Sequence, residues 1–149
     1  MSNNEVFCEQ KGRAEVKIGV KDIQIGQYLQ FAAIVYNDQI KILDLISGDI
    51  TVTIRRMAYP RLVKLSKCER FVLASFTDNT VGIYCSRTGS QLSKIIGIPR
   101  STSNFVISDN SQKLLFANNN TLCLWSIPKG QLEMSSAQWR NIYCYAINA

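Results

Sequence analysis

The stretch IKILDLISG at residues 40–48 decides the fold, because it returns as VGIYCSRTG at residues 81–89 and as LCLWSIPKG at residues 122–130. The three copies are spaced by a constant 41 residues, so their closing glycines coincide without gaps. Self-similarity at a fixed period of this length is typical of a repeat architecture. The chain is therefore expected to stack copies of one small structural unit.

Each copy has the pattern of a β-strand that ends in a turn. The first and third residues of every copy are aliphatic: Ile40 and Ile42, Val81 and Ile83, Leu122 and Leu124. This period of two predicts a strand with one buried face. The closing glycine then predicts a turn residue with a positive φ angle.

Three further strands are predicted around each copy. The strand that directly precedes each copy and forms a hairpin with it lies at residues 31–36, 71–76 and 114–118. Those further upstream lie at 23–25, 62–66 and 105–108, and those downstream at 50–54, 92–96 and 132–134. No segment shows the sustained 3.6-residue period of a long helix, so each unit holds four short strands and the fold class is all-β.

A tandem four-stranded unit of this length predicts a β-propeller blade. We expect a single domain over residues 1–149, a partial propeller of about three to four antiparallel blades. The repeat units are placed at approximately residues 20–56, 61–97 and 102–136, with flanking partial blades at 1–19 and 137–149.

The second unit resembles a blade of the WD-repeat family. The similarity is carried by VKLS at residues 63–66, FVLAS at 71–75 and DNTVGIY at 78–84, and it extends over residues 21–136. No unit keeps the family's Gly-His dipeptide or an intact Trp-Asp pair. Without histidine the family's Asp-His-Ser-Trp network cannot form, so we expect packing and backbone pairing to hold the blades together. The resemblance implies a non-catalytic scaffold for protein–protein interaction.

The composition excludes several kinds of site. The chain has no histidine, which removes Ser-His-Asp and Cys-His arrangements and histidine-ligated zinc. Its five cysteines include no C-x-x-C pair and favour a reducing compartment, cytoplasmic or also nuclear. No catalytic residue, metal ligand or cofactor is predicted, and no run is apolar enough to span a membrane.

Basic residues are concentrated in the middle of the chain. Residues 55–100 hold nine basic and two acidic side chains, a net charge of +7, whereas the rest of the chain sums to −1. Because the connections between blades gather on one rim, we predict a basic partner-binding rim at the loops of residues 57–61, 97–103 and 137–141. Its candidate residues are Arg55, Arg56, Tyr59, Arg61, Arg100, Trp139 and Arg140. Ordinary solvation of a strand-rich surface also explains these charges and stays open.

Several interpretations of the partner follow. An acidic or phosphorylated protein is favoured over RNA, because no aromatic platform accompanies the basic residues. A quinone-dependent propeller enzyme is an alternative, since its repeats also read aliphatic strand and then Thr-Gly, as in Thr88-Gly89. Such enzymes need a cofactor and usually calcium in the central channel. A third alternative is a fragment without a role of its own.

Three repeats fall short of the roughly four to eight blades of a closed propeller. If an uncovered blade face exposes several hundred Å² of apolar surface, the forgone burial is about 10 kcal/mol. We therefore expect completion by other propeller blades, either in a longer protein or from a second copy or another chain.

Overall fold

The computed structural model describes residues 19–96, 98, 105–118 and 121–136, in which twelve strands form three antiparallel sheets. Blade 1 contains β1 (Asp22–Ile25), β2 (Phe31–Val35), β3 (Gln39–Asp44) and β4 (Ile50–Arg55). Blade 2 contains β5 (Pro60–Leu65), β6 (Phe71–Phe76), β7 (Thr80–Cys85) and β8 (Gln91–Ile96). Blade 3 contains β9 (Phe105–Ile107), β10 (Lys113–Asn118), β11 (Thr121–Ser126) and β12 (Gln131–Ser136). In the described ranges no helix is long and apolar enough to cross a membrane.

This architecture confirms the predicted all-β fold and the four strands per unit. Strands in each blade lie side by side in chain order, as hairpins require. Most strand bounds differ from the predicted ones by one or two residues. At β5, which begins at Pro60, the pairing with β6 is irregular between Pro60 and Leu62. A proline has no N–H to donate to a sheet, which explains an irregular first pair. The flanking partial blades predicted at residues 1–19 and 137–149 lie outside the described residues, apart from Gly19, and stay a prediction.

The repeated glycines satisfy two constraints at once. Gly48, Gly89 and Gly130 have φ angles of +80°, +72° and +63°, in the left-handed region that the sequence predicted. Two of them also touch the preceding blade. A Cβ atom on Gly89 would lie 2.6 Å from Cγ1 of Val52, and one on Gly130 would lie 2.6 Å from Oγ of Ser93. At Gly89 and Gly130, glycine is thus favoured both by the conformation of the turn and by the close approach of the preceding blade.

The hydrophobic core lies between successive blades. Ile40 and Ile42 of blade 1 share a cluster with Val63 and Val72 of blade 2, and each of the four is at most 1% exposed. A second cluster joins blade 2 to blade 3 in the same way. Each sheet is therefore stabilised mainly by the sheet packed against it.

Blade 3 has the same apolar residue pattern as blades 1 and 2, but no described blade covers its last face. In blade 2, Val81 and Ile83 are at most 1% exposed. Their equivalents in blade 3, Leu122 and Leu124, are only partly buried, and Met134, which pairs with Leu124, is 60% exposed. We call the surface of Leu122, Leu124 and Met134 the open blade face.

A buried carboxylate connects blades 1 and 2. Glu69, in the turn between β5 and β6, is 2% exposed. Its carboxylate accepts hydrogen bonds from the backbone N–H groups of Tyr28, Gln30 (3.1 Å) and Phe31 (3.0 Å) in blade 1. A Cβ atom on Gly26 would lie only 2.2 Å from Cδ of Glu69, so the turn of blade 1 has room for this side chain because residue 26 is glycine. We call this arrangement the Glu69 clamp.

The Glu69 clamp predicts coupled effects on stability. Glu69→Ala removes three charge-assisted hydrogen bonds and is expected to lower the free energy of unfolding by about 2–4 kcal/mol. Gly26→Ala is expected to displace the carboxylate and to destabilise the protein for the same reason. The double variant should therefore lose less free energy of unfolding than the sum of the losses in the two single variants, and the difference is expected to be about 1 kcal/mol.

Urea unfolding of the four proteins in this cycle measures the coupling. Asp38→Ala, at an exposed turn carboxylate, serves as the control and should change stability by less than about 0.5 kcal/mol. Strictly additive losses would show that Gly26 and Glu69 act independently.

Candidate protein-interaction rim

Antiparallel strands place alternate connections at opposite ends of the blades. One end carries the β2–β3 turn (residues 36–38), the β4–β5 connection (56–59) and the β6–β7 turn (77–79). We call this end the connection rim. The other end, the turn rim, carries residues 26–30, 45–49, 66–70, 86–90, 108–112 and 127–130.

The β4–β5 connection is fixed to blade 2 by both backbone and side chains. The backbone N–H of Tyr59 donates to Oγ1 of Thr77 at 3.1 Å, and the N–H of Thr77 donates to the carbonyl of Tyr59 at 3.0 Å. The guanidinium of Arg56 reaches Oδ2 of Asp78 at 3.2 Å and Oγ1 of Thr80 at 3.1 Å. These four contacts hold the connection in one position on the rim.

Arg56 is engaged within the fold. Its side chain is 19% exposed, and its guanidinium carbon lies 4.4 Å from the ring centroid of Phe76. Asp78 also accepts a hydrogen bond of 2.6 Å from the hydroxyl of Thr80. The expectation that packing and backbone pairing alone hold the blades together is therefore wrong for blade 2. An arginine, an aspartate and a threonine form a side-chain network there without histidine.

The exposed part of the connection combines apolar and cationic side chains. Met57 is fully exposed and Tyr59 is 56% exposed. Arg55 is exposed at the end of β4, where its Nε donates to Oε1 of Gln39 at 3.0 Å, and Arg61 is exposed on β5. The structure thus places the predicted Arg55, Tyr59 and Arg61 at the connection rim, in or beside the segment that joins the edge strand β4 of blade 1 to the edge strand β5 of blade 2.

Met57 lies in the predicted rim loop of residues 57–61 but was not among its candidate contact residues, although an apolar residue between two predicted strands was a usable signal. Three other predicted rim residues, Arg100, Trp139 and Arg140, lie outside the described residues. Their position on the rim stays a prediction.

The basic side chains of residues 55–100 lie at both rims. Arg55 and Arg56 lie at the connection rim, whereas Lys67, Arg70 and Arg87 lie in turns of the turn rim. A count of charges along the chain cannot separate them, because consecutive turns fall at opposite ends of a blade. Assigning each basic residue to the turn after an odd or an even strand would have found this division.

A cavity of about 340 Å³ lies where residues of all three blades meet, and it bears on the enzymatic alternative. It is lined by Lys64 and Lys67, and none of its described lining residues is a carboxylate. Burial lowers the pKa of Lys64, whose Nζ lies 5.8 Å from the ring centroid of Phe105. Calcium requires oxygen ligands, so these residues do not fit the ion that quinone-dependent propellers usually hold. Among the described residues no group of three or more His, Cys, Asp or Glu side chains could hold a metal ion.

Comparison with known proteins shows the fold. No family model and no curated protein matches the sequence. Among solved structures, the chain is similar to BamB from Moraxella catarrhalis, with a TM-score of 0.63 and 11% identity, over 76% of this chain and 36% of that one. The chain thus spans about a third of the length of the structure it matches. At this identity the likeness shows the fold alone: the chain is a partial β-propeller.

The Arg56–Asp78 contact predicts a pH-dependent contribution to stability. Burial raises the pKa of Asp78, but the hydroxyl of Thr80 and the charge of Arg56 together bring that pKa below its ordinary value of 3.8. A carboxyl group whose pKa is lower in the folded state stabilises the protein at pH above the unfolded value, and the contribution is lost as pH falls through the folded value.

Asp78→Asn is therefore expected to cost about 1 kcal/mol at pH 7 and less at pH 3. Thermal melts at the two pH values measure the difference from the wild-type protein, with Asp38→Asn as an exposed-turn control. A cost that is the same at both pH values would contradict the role of the Asp78 charge.

Proposed function

We propose that the chain is a non-catalytic scaffold for protein–protein interaction and that its connection rim binds an acidic surface of a partner protein. The observation that carries this proposal is the exposure of Met57 and Tyr59 on a connection fixed to blade 2, with Arg55 and Arg61 on either side. Exposed apolar surface that is flanked by charged residues is typical of protein-interaction sites.

The chemistry of this edge matches that of binding hot spots. Tyrosine, methionine and arginine are enriched in the buried centres of protein interfaces. Because hydrogen bonds between Tyr59 and Thr77 already fix the backbone, little conformational entropy remains to be lost when a partner binds.

The charges of the connection rim favour an acidic partner. Arg56 pairs with Asp78, and at the same end of the strands the exposed cations Lys21, Arg55 and Arg61 outnumber the exposed carboxylates Asp22 and Asp38. A net positive rim attracts an acidic surface and forms charge-assisted hydrogen bonds with its carboxylates.

A protein partner is favoured over RNA on this surface. Single-stranded RNA is bound by several aromatic side chains on which successive bases stack. Tyr59 is the one exposed aromatic side chain in the described turns and connection of this rim, and Tyr36 is buried.

Two further parts of the proposal concern the assembly and its location. The open blade face has the residue pattern that the next blade covers elsewhere in this structure, which supports completion by further propeller blades. Cys68, Cys85 and Cys123, the described cysteines, are free thiols, which supports a reducing compartment such as the cytoplasm or nucleus.

Charge reversal tests the connection rim. Arg55→Glu with Arg61→Glu is expected to weaken partner capture by about tenfold or more, and Met57→Ala with Tyr59→Ala to weaken it similarly. The matched controls are Lys129→Glu and Tyr28→Ala, which change exposed side chains on the turn rim.

Affinity capture from nuclease-treated lysate, quantified by mass spectrometry, provides the measurement. Proteins retained by the wild-type chain and both controls but lost from both rim variants are the expected result. If the rim variants and the controls capture the same proteins in equal amounts, the connection rim is not the binding surface.

Completion by further blades predicts association of the isolated chain. Sedimentation equilibrium is expected to give a mass above the 16.8 kDa of one chain, and Leu124→Glu on the open blade face is expected to reduce it. A single species of 16.8 kDa with a cooperative melt would contradict completion.

A further inference from the structure

A second basic site lies on the turn rim of blade 2, at the opposite end from the connection rim. It is a cavity of about 680 Å³, and Arg70 and Arg87 supply its charges. The hydroxyl groups of Thr88 and Ser90 also line it, and Phe71 and Leu92 are among its apolar lining residues. Its size admits the end of a peptide side chain together with its neighbours.

No acid neutralises this cavity within the described structure. Its lining residues include no carboxylate, and neither Arg70 nor Arg87 forms an ion pair with a described residue. By contrast, Lys67, in the same turn as Arg70, pairs with Asp109 of blade 3 at 2.9 Å. The two arginines thus differ from the neighbouring lysine in having no described counter-charge.

The backbone holds the two arginine-bearing turns together. The N–H of Ser86 donates to the carbonyl of Arg70 at 3.0 Å, and the buried Ser86 hydroxyl donates to the carbonyl of Glu69 at 2.5 Å. The Glu69 clamp in turn fixes this segment to blade 1. The starting points of both arginine side chains are therefore set before any ligand binds.

The repeat shows that blade architecture does not require these arginines. The backbone bond from Ser86 to Arg70 recurs in blade 1 from Leu45 to Gln30 at 2.8 Å, and in blade 3 from Ile127 to Gln112 at 2.9 Å. Glutamine thus replaces Arg70 in both neighbours while the backbone bond is kept.

The position of Arg87 varies in the same way. Counted from the repeated glycine, its equivalents are Ile46 in blade 1 and Pro128 in blade 3. Both turns of blade 2 would therefore form without a positive charge at these two positions.

The thiol of Cys85 lines this cavity together with Thr88 and Arg87. A hydrogen bond from Thr88 lowers the pKa of Cys85 despite its partial burial, and the backbone N–H groups of residues 87 and 88 and the charge of Arg87 act in the same direction. The surroundings of the cavity thus favour negative charge.

We propose that the Arg70–Arg87 cavity binds a phosphorylated side chain of a partner peptide. The two guanidinium groups offer more N–H donors than one carboxylate can accept, whereas a phosphate dianion has three terminal oxygens for them. The hydroxyls of Thr88 and Ser90 are hydrogen-bonded to each other at 2.8 Å and are not counted among these donors. A nucleic-acid backbone would need basic side chains along several successive phosphates, and this cavity has one pair.

An adjoining cavity of about 340 Å³ shares Arg87 and extends the site toward blade 1. Ile46 lines it and is exposed, and it would contact an apolar residue beside the phosphorylated one. Asp44 also lines this second cavity, where its Oδ1 accepts hydrogen bonds from the N–H groups of Ile46 and Ser47. The phosphate is therefore expected in the first cavity, away from this carboxylate.

Fluorescence anisotropy with three labelled peptides tests the proposal. The probes share an alanine- and leucine-rich sequence and carry phosphoserine, glutamate or serine at the centre. The wild-type chain is expected to bind the phosphoserine peptide about tenfold more tightly than either of the others. Arg70→Gln with Arg87→Gln should remove that preference, while Arg55→Gln with Arg61→Gln, which loses the same charge from the connection rim, should keep it.

Alkylation of Cys85 gives a readout at the site itself. Saturating phosphoserine peptide is expected to slow its reaction with iodoacetamide by about threefold or more in the wild-type chain and not in the Arg70/Arg87 variant. Thermal melts check that the variants fold, and Arg87→Gln alone replaces the double variant if the latter melts early.

Several results would overturn the proposal. These are equal affinity for the three peptides, no binding of the phosphoserine peptide, or equal losses in the two double variants. Displacement of the peptide by a single-stranded oligouridylate at a lower phosphate concentration would assign the cavity to nucleic acid instead. Because the connection rim is altered only in the control, failure here leaves the proposed scaffold function unaffected.

Discussion

The structure depends on the need of each four-stranded sheet to cover both of its apolar faces. Ala33 in blade 1 and Leu73 in blade 2 occupy equivalent strand positions, and both are completely buried. A single sheet of this size cannot bury these side chains, so the contacts between blades supply most of the hydrophobic stabilisation. Blade 2 is the one described blade with described neighbours on both sides, and the first five residues of β7 are buried accordingly.

Blade 2 also carries the polar contacts that order the surface. The Glu69 clamp, the Arg56–Asp78 contact and the bonds of Ser86 all begin or end in its turns. A turn can present side chains precisely only when the sheet beneath it is well packed. Both proposed binding sites therefore lie where the packing is most complete, at opposite ends of the same sheet.

Sequence patterns predicted the strands well because two independent periods agreed. The alternation of aliphatic residues marks each strand, and the spacing of 41 residues marks each blade. The glycine turns followed from the same pattern, since Gly89 and Gly130 have positive φ angles and contact the preceding blade. Strands and blades repeat with a regular geometry, so the residues that this geometry requires recur at regular spacings in the sequence.

The site could be predicted only in part, because side-chain partners lie far apart along the chain. Glu69 contacts backbone groups 38 to 41 residues away, and no local pattern reports such a contact. Arg56 belongs to the basic window, yet its guanidinium is occupied by Asp78. The net charge of residues 55–100 does not show which end of a sheet a residue occupies, so Arg70 and Arg87 were counted there without being assigned to a site of their own.

Departures from the repeat fall into two classes that the structure separates. Glu69 has Leu29 and Ser111 as its equivalents, and all three adopt a φ angle near +57°. The clamp explains the glutamate inside the protein, since its carboxylate binds the preceding blade. Arg70 and Arg87 also depart from their equivalents, but no described contact of their side chains explains them. Solvation alone explains a single exposed arginine, but two arginines that line one cavity without a described counter-charge are what favours a ligand at this position.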